Sequence, residues 1–174
     1  MNALEDFRQR KDHFYGTGRE SPLTVDQRRG FSGLAYYPEN RDLAIDAALE
    51  EPADRGVITM ETSTGDSQDY HRAGVVRFTV EGQPAQITLY SGEHDERFFV
   101  PFRDATSNVE TYGAGRYLEV DPPTNGRIVV DFNYAYNPYC AYNAEWSCPL
   151  PPIENWLKVP IRAGEKDFAV REEH

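Results

Sequence analysis

Val76-Arg77-Phe78-Thr79-Val80, then Glu81-Gly82-Gln83, then Gln86-Ile87-Thr88-Leu89-Tyr90 is the stretch whose reading decides the fold. Both flanks alternate apolar and polar residues, the period of two that turns one face of a strand toward a core. β-branched and aromatic types dominate them, and these suit a pleated, half-buried surface. The short segment between carries a glycine, which reverses a chain at little steric cost. The spacing predicts an antiparallel hairpin.

The same signal recurs outward from this point. Val57–Glu61, Ala73–Val80, Ala85–Tyr90, Arg97–Phe102, Tyr117–Val120 and Arg127–Phe132 read as strands, with turn chemistry at Thr64-Gly65-Asp66 and Pro122-Pro123-Thr124-Asn125-Gly126. Leu43–Glu50 alternates at Leu43, Ile45, Ala47 and Leu49; its alanines also suit a helix, and it is read as a strand. Trp156–Ile161 is read as a last strand. No long helical pattern separates these runs, and parallel pairing needs crossovers of a dozen or more residues. The expected fold is therefore mainly β, an antiparallel β-barrel or sandwich. Upstream, Leu4, Phe7, Lys11 and Phe14 share one face at helical spacing, predicting an N-terminal helix over Leu4–Phe14 that Gly16 and Gly18 stop. The Pro- and Gly-punctuated stretch that follows, to about Asn40 and containing Phe31, Leu34, Tyr36 and Tyr37, reads as a short helical turn or loop leading to the first strand. Downstream, Asn133–Pro152 is a long C-terminal loop rich in Pro, Tyr, Asn and Cys. Long loops without regular structure are uncommon and often functional. Nothing marks an internal boundary, so residues 1–174 are expected to form a single domain.

Charge limits the function classes. Asp and Glu outnumber Lys and Arg 29 to 18, and no basic run is present, which argues against nucleic acid as a partner. Only Lys11, Lys158 and Lys166 are lysines. Acid excess with few lysines suits a surface hydrated in concentrated salt, although an ordinary acidic cytosolic protein has the same balance. If the salt reading holds, the melting temperature rises from low to multimolar KCl; a flat series would sink it. Aromatics make up 13% of the residues, enough to supply a core despite a mean hydropathy of -0.69. No apolar run approaches the ~20 residues of a membrane span, and the charged N-terminus is not a secretory signal, so the expected location is the cytoplasm with no membrane partner.

Three segments carry a resemblance. Phe102-Arg103-Asp104-Ala105-Thr106 with Thr111-Tyr112-Gly113-Ala114-Gly115-Arg116-Tyr117-Leu118 is the first. Asp131-Phe132-Asn133 with Ala135-Tyr136-Asn137-Pro138 and Cys140-Ala141-Tyr142 is the second. Cys148-Pro149-Leu150-Pro151-Pro152 with Glu154-Asn155 and Ala163-Gly164-Glu165-Lys166 is the third. Together they resemble the DUF1684 family of archaeal and bacterial proteins, more loosely before residue 102. The usual family pattern has a glycine where Ala114 stands. The resemblance implies no reaction, cofactor or catalytic residue; it implies that the C-terminal third is one constructed unit.

Within that unit the polar residues are the candidates. Arg116 could present its planar fork to a carboxylate or phosphate, or pair with Asp104 inside the protein. Asp104, Thr106 and Tyr112 stand beside it in the reading. Asp131 and Asn133 flank Phe132, so on a strand they share one face, with Arg116 as their natural counter-ion; alternatively they tie down the loop through side-chain bonds to backbone. Tyr136, Asn137, Glu154 and Asn155 complete the set. Cys140 and Cys148 admit three readings: buried free thiols, a disulfide, or metal ligands, for which two are too few in a closed zinc site. No metal site and no cofactor are expected. His13, His71, His94 and His174 are scattered and receive no role. The first function expected is a module binding a small polar or anionic ligand in a crevice lined by Arg116, Asp131, Asn133, Tyr136 and Glu154. A hydrolase using carboxylates or a metal they bind is the second, and a structural domain with a buried polar cluster the third. An exposed edge strand admits a monomer or a homodimer.

Overall fold

The computed structural model describes residues 2–93 and 96–168, so His94 and His174 lie outside the described residues. Its elements run α1 (Ala3–Thr17), α2 (Val25–Arg29), β1 (Ala44–Ala48), β2 (Val57–Glu61), β3 (Ser67–Val80), β4 (Gln83–Ser91), β5 (Phe98–Phe102), β6 (Arg116–Val120) and β7 (Arg127–Asp131). Single 3-10 turns at Phe132–Tyr134, Tyr139–Ala141 and Ile153–Asn155 punctuate the C-terminal third. The predicted hairpin is β3–β4, paired from His71↔Ser91 to Val80↔Gln83. Its turn is two residues, Glu81 at φ 51° and Gly82 at φ 81°. Two left-handed residues match the strand twist as a type I′ turn does.

Helix α1 opens on a capping box, with the Asn2 side chain accepting from the Glu5 N–H and Glu5 returning to the Asn2 N–H. Gly16 does not stop it. The chain leaves at Gly18, whose N–H closes on the Phe14 carbonyl at 2.7 Å.

The strands form two antiparallel sheets, β2-β3-β4-β5-β6 and β1-β7. Their apolar faces share one core, with Val76, Leu89, Phe102 and Leu118 from the first and Ile128 and Val130 from the second around Phe132. The arrangement is sandwich-like, and no closed barrel forms. β3 is long enough to take β2 along its first five residues and then Glu50, just past β1, against Val75 through two 2.9 Å hydrogen bonds. Closure would then need β6 to pair with β7. Asp121-Pro122-Pro123 follows β6, and prolines bring no N–H to a ladder. Instead the free edge of β6 takes Tyr136 through two bonds at Tyr117, of 2.8 and 3.0 Å, and β7 pairs with β1.

The expected strand at Trp156–Ile161 is not one. Trp156 makes a single bridge to Arg103, and the chain from there to Ala163 runs irregularly against the sheet, burying Val159 and Ile161. Pro149-Leu150 covers the outer edge of β2: Pro149 bridges Thr62 and the Leu150 N–H reaches the Glu61 carbonyl at 2.8 Å. An open edge is thereby shielded from pairing with another chain.

Candidate functional site

Arg116 enters β6 from a tight turn, and its side chain is 1% exposed. Gly115, at φ +109°, makes the turn possible: a Cβ there would lie 2.6 Å from the Phe102 carbonyl oxygen and 2.8 Å from Pro151 Cγ. Gly115→Ala should therefore lower unfolding stability by about 2 kcal/mol in urea titration. An unchanged midpoint would mean that the backbone gives way more easily than this packing implies.

The guanidinium is spent on the protein itself. Nη1 donates to the carbonyls of Ala163 (2.5 Å) and Glu165 (3.1 Å), Nη2 to that of Ile161 (2.8 Å), and Asp104 lies 3.5 Å away. Burial lowers the Arg116 pKa, opposed chiefly by Asp104. Asp104 in turn accepts from the Ile161 N–H at 2.6 Å and from the Thr106 hydroxyl at 2.8 Å, and Thr106 meets Thr111 at 2.9 Å. Four elements of chain are knotted here, sealed from water. Of the readings offered for Arg116, the pairing with Asp104 inside the protein is the one observed. The expectation that it faces an anion in a crevice with Asp131 and Glu154 is corrected: both Nη groups already hold carbonyls and Nε is buried, so no fork is left to present.

The other candidates scatter. The strand ends at Asp131, so Phe132–Tyr134 is a 3-10 turn and the shared-face argument for Asp131 and Asn133 fails. Asn133 accepts from the Asn40 N–H (2.8 Å), returns a bond to the Asn40 carbonyl (2.9 Å), and donates to Asp131 (2.9 Å). Asn137 is buried and donates to the Lys166 carbonyl at 3.0 Å. Asn155 is buried between β4 and β5. Glu154 lies on the outer face of the large sheet, where it pairs with Arg72 at 3.0 Å and accepts from the Tyr90 hydroxyl. Tyr112 places its hydroxyl 3.5 Å from the Cys140 carbonyl and 3.6 Å from its sulfur.

Both cysteines are free and buried, with the Cys140 N–H on Cys148 Sγ at 3.4 Å. Hydrogen bonding from Cys148, with smaller help from Tyr112, pushes the Cys140 thiol down to about 6, while the Cys148 thiol moves up.

Two candidates, Asp131 and Tyr136, line an open groove of about 1040 Å³. It occupies the seam where β6 and β7 fail to pair, with α1 packed across it. Phe7, Phe14, Tyr15, Tyr134, Tyr136 and Tyr139 supply aromatic wall; Leu118, Val120 and Ile128 supply aliphatic surface. Phe7 meets Tyr134 edge-on at 5.0 Å between centroids. The Lys11 ammonium projects from α1 over the rings of Tyr136 (4.7 Å) and Tyr15 (5.4 Å) and ion-pairs with Glu165. Glu165 is 1% exposed, accepts from the Tyr142 hydroxyl at 2.6 Å, and gives its backbone carbonyl to Arg116. The sealed knot thus fixes the residue that fixes Lys11. Tyr136 donates its hydroxyl to Glu119; burial first, and that carboxylate second, push its pKa well above the ordinary phenol range.

Lys11, Glu119, Arg97 and Arg127 in this groove were missing from the expected set. A signal existed for Lys11 alone: it is a cation on the apolar stripe of α1. Glu119 and Arg127 are separated by the proline turn, and nothing local announces that they face one space. Among the described residues no group of three or more His, Cys, Asp or Glu is gathered to hold a metal, and no helix is long and apolar enough to cross a membrane.

Residues 29–166, most of the chain, match the family model described as "Protein of unknown function (DUF1684)". The chain belongs to the DUF1684 family. A solved relative agrees in fold: the solution NMR structure of an uncharacterized protein of Haloarcula marismortui superposes with a TM-score of 0.72 at 33% identity, covering 94% of this chain and 91% of that one. Among curated proteins none matches. The match spans both the knot around Arg116 and the seam between β6 and β7, so this DUF1684 chain carries its groove within the family segment except for the α1 wall.

Proposed function

We propose that the chain acts as one small-molecule binding module, with its ligand in the groove between β6 and β7. The groove itself carries the reading. Its size matches ordinary ligand sites, and it joins aromatic and aliphatic walls to a few fixed polar groups, as such sites do. The sealed residues Asp104, Thr106, Arg116 and Asn137 serve it as scaffold, holding Glu165, and through it Lys11, in place, while Asn133 and Asn155 tie other segments of chain together. This divides the sequence candidates between two of the roles expected of them: a structural knot inside and a site at Tyr136 and Asp131. The composition supports a protein working in the cytoplasm at high salt, with 29 acids against 18 cations.

Amide chemical-shift mapping against a fragment library tests the site. Shifts should cluster on Leu118–Asp121, Arg127–Asp131 and the Lys11 turn of α1. Val129 lines the groove and is 56% exposed, so Val129→Trp can fill the space without entering the core. That variant should lose the shifts while keeping its melting temperature. Binding that persists in Val129→Trp, or that maps to another face, would remove the groove from consideration.

A further inference from the structure

The charges in the groove are not balanced one for one. Of its three cations, Lys11 is paired with Glu165, Arg97 with Asp121 at 2.9 Å and Arg127 with Asp46 at 3.0 Å. Two lining carboxylates, Glu119 and Asp131, have no cation partner among the described residues. Glu119 takes the Tyr136 hydroxyl on Oε1, and Asp131 takes the Asn133 N–H and amide on Oδ1, both at about the same reach (3.0 and 2.9 Å). Each thus keeps one oxygen with no hydrogen bond from the described residues.

The aromatic wall between them has a preference of its own. Ring faces attract cations, and tyrosine faces do so while still offering hydroxyls. This wall already accepts an ammonium, since Lys11 stands over Tyr136 and Tyr15. Glu165 neutralises that ammonium from behind, so it does not repel a second cation as a bare charge would. A carboxylate or phosphate ligand would meet the opposite: every lining cation is already paired, and two carboxylates face the cavity.

We propose that the ligand of the groove is an organic cation, an amine on an apolar or aromatic body, held by the Glu119 and Asp131 carboxylates with its body against the ring wall. The inference rests on the groove being the ligand site and names the chemistry of its occupant.

Three probes of one skeleton separate the two claims: 2-phenylethylamine, 2-phenylethanol and 3-phenylpropanoate, titrated at pH 7 and low salt by chemical-shift mapping. The amine should bind at least about tenfold more tightly than the alcohol, a difference of about 1.4 kcal/mol, and the carboxylate should be weakest. Raising KCl should weaken the amine and leave the alcohol nearly unchanged. Glu119 is exposed, so Glu119→Gln should fold normally and remove most of the amine's advantage without moving the alcohol. Asp131→Asn should act in the same direction, its melting curve checking the turn it caps. Equal binding of amine and alcohol in the groove overturns the cation claim and leaves the site standing. A preference for the carboxylate does the same. Failure of all three to shift any groove amide overturns the cation claim, and if the fragment library is also silent there the site falls with it.

Discussion

Arg116→Met is expected to lower the stability of the fold by about 3–5 kcal/mol, the cost of removing one partner from a buried ion pair. Methionine fills much of the volume, so the loss isolates the polar terms. Three main-chain carbonyls, of Ile161, Ala163 and Glu165, lose their donor, and the buried Asp104 carboxylate keeps only neutral partners. Since domains are stable by about 5–15 kcal/mol, this is a large share of the whole. Urea unfolding measures it. Arg116→Lys should recover only part, because a single ammonium cannot reach three carbonyls in different directions as a planar fork does. A variant that unfolds at the parental urea midpoint would show that the knot is not what holds residues 161–165 to β6.

Asn155→Ala is the second large effect, expected at about 3 kcal/mol. β5 lies inside the large sheet, yet it is paired with β4 only at Tyr90↔Phe99. Part of the cause is Pro101, which has no N–H to give a ladder. The Asn155 side chain fills the gap as a rung would. Its Oδ1 accepts from the Thr88 N–H at 2.9 Å, and its Nδ2 donates to the carbonyls of Thr88 (2.8 Å) and Pro101 (2.9 Å). Truncation leaves three buried main-chain groups unpaired. Hydrogen exchange at the Thr88 amide should accelerate along with the loss of stability. Asn155→Asp should be no better, since a carboxylate would face two carbonyl oxygens. Parental exchange at Thr88 in either variant would refute the bridging role.

The strands were legible because alternation and turn chemistry are local. Val76–Val80 and Gln86–Tyr90 show their faces in the residues themselves, and Glu81-Gly82 shows where they reverse. Lys11 on the apolar stripe of α1 was visible as an oddity without a partner to explain it. Arg116 was recognisable as a residue requiring a partner, and Asp104 was one of the partners offered for it; the three carbonyls of residues 161–165 were not. Asp104 and Asp131 both stood open as its counter-ion, and only chain packing placed Asp104 3.5 Å from the guanidinium and sent Glu154 to Arg72 on the outer face. The last segment misled because Trp156–Ile161 carries the apolar residues of a strand; it buries Val159 and Ile161 with only one bridge, Trp156 to Arg103, and no continuous ladder.

What the sequence determined by itself was the β class, the antiparallel hairpin with its glycine turn, and the N-terminal helix. Each depends on contacts between near neighbours. The tertiary structure alone decided which edges found partners, and therefore that β6 took Tyr136 while β7 took β1, leaving a groove between them. Edge pairing brings together residues far apart in the chain, and its outcome depends on all the competing backbone donors and acceptors at once.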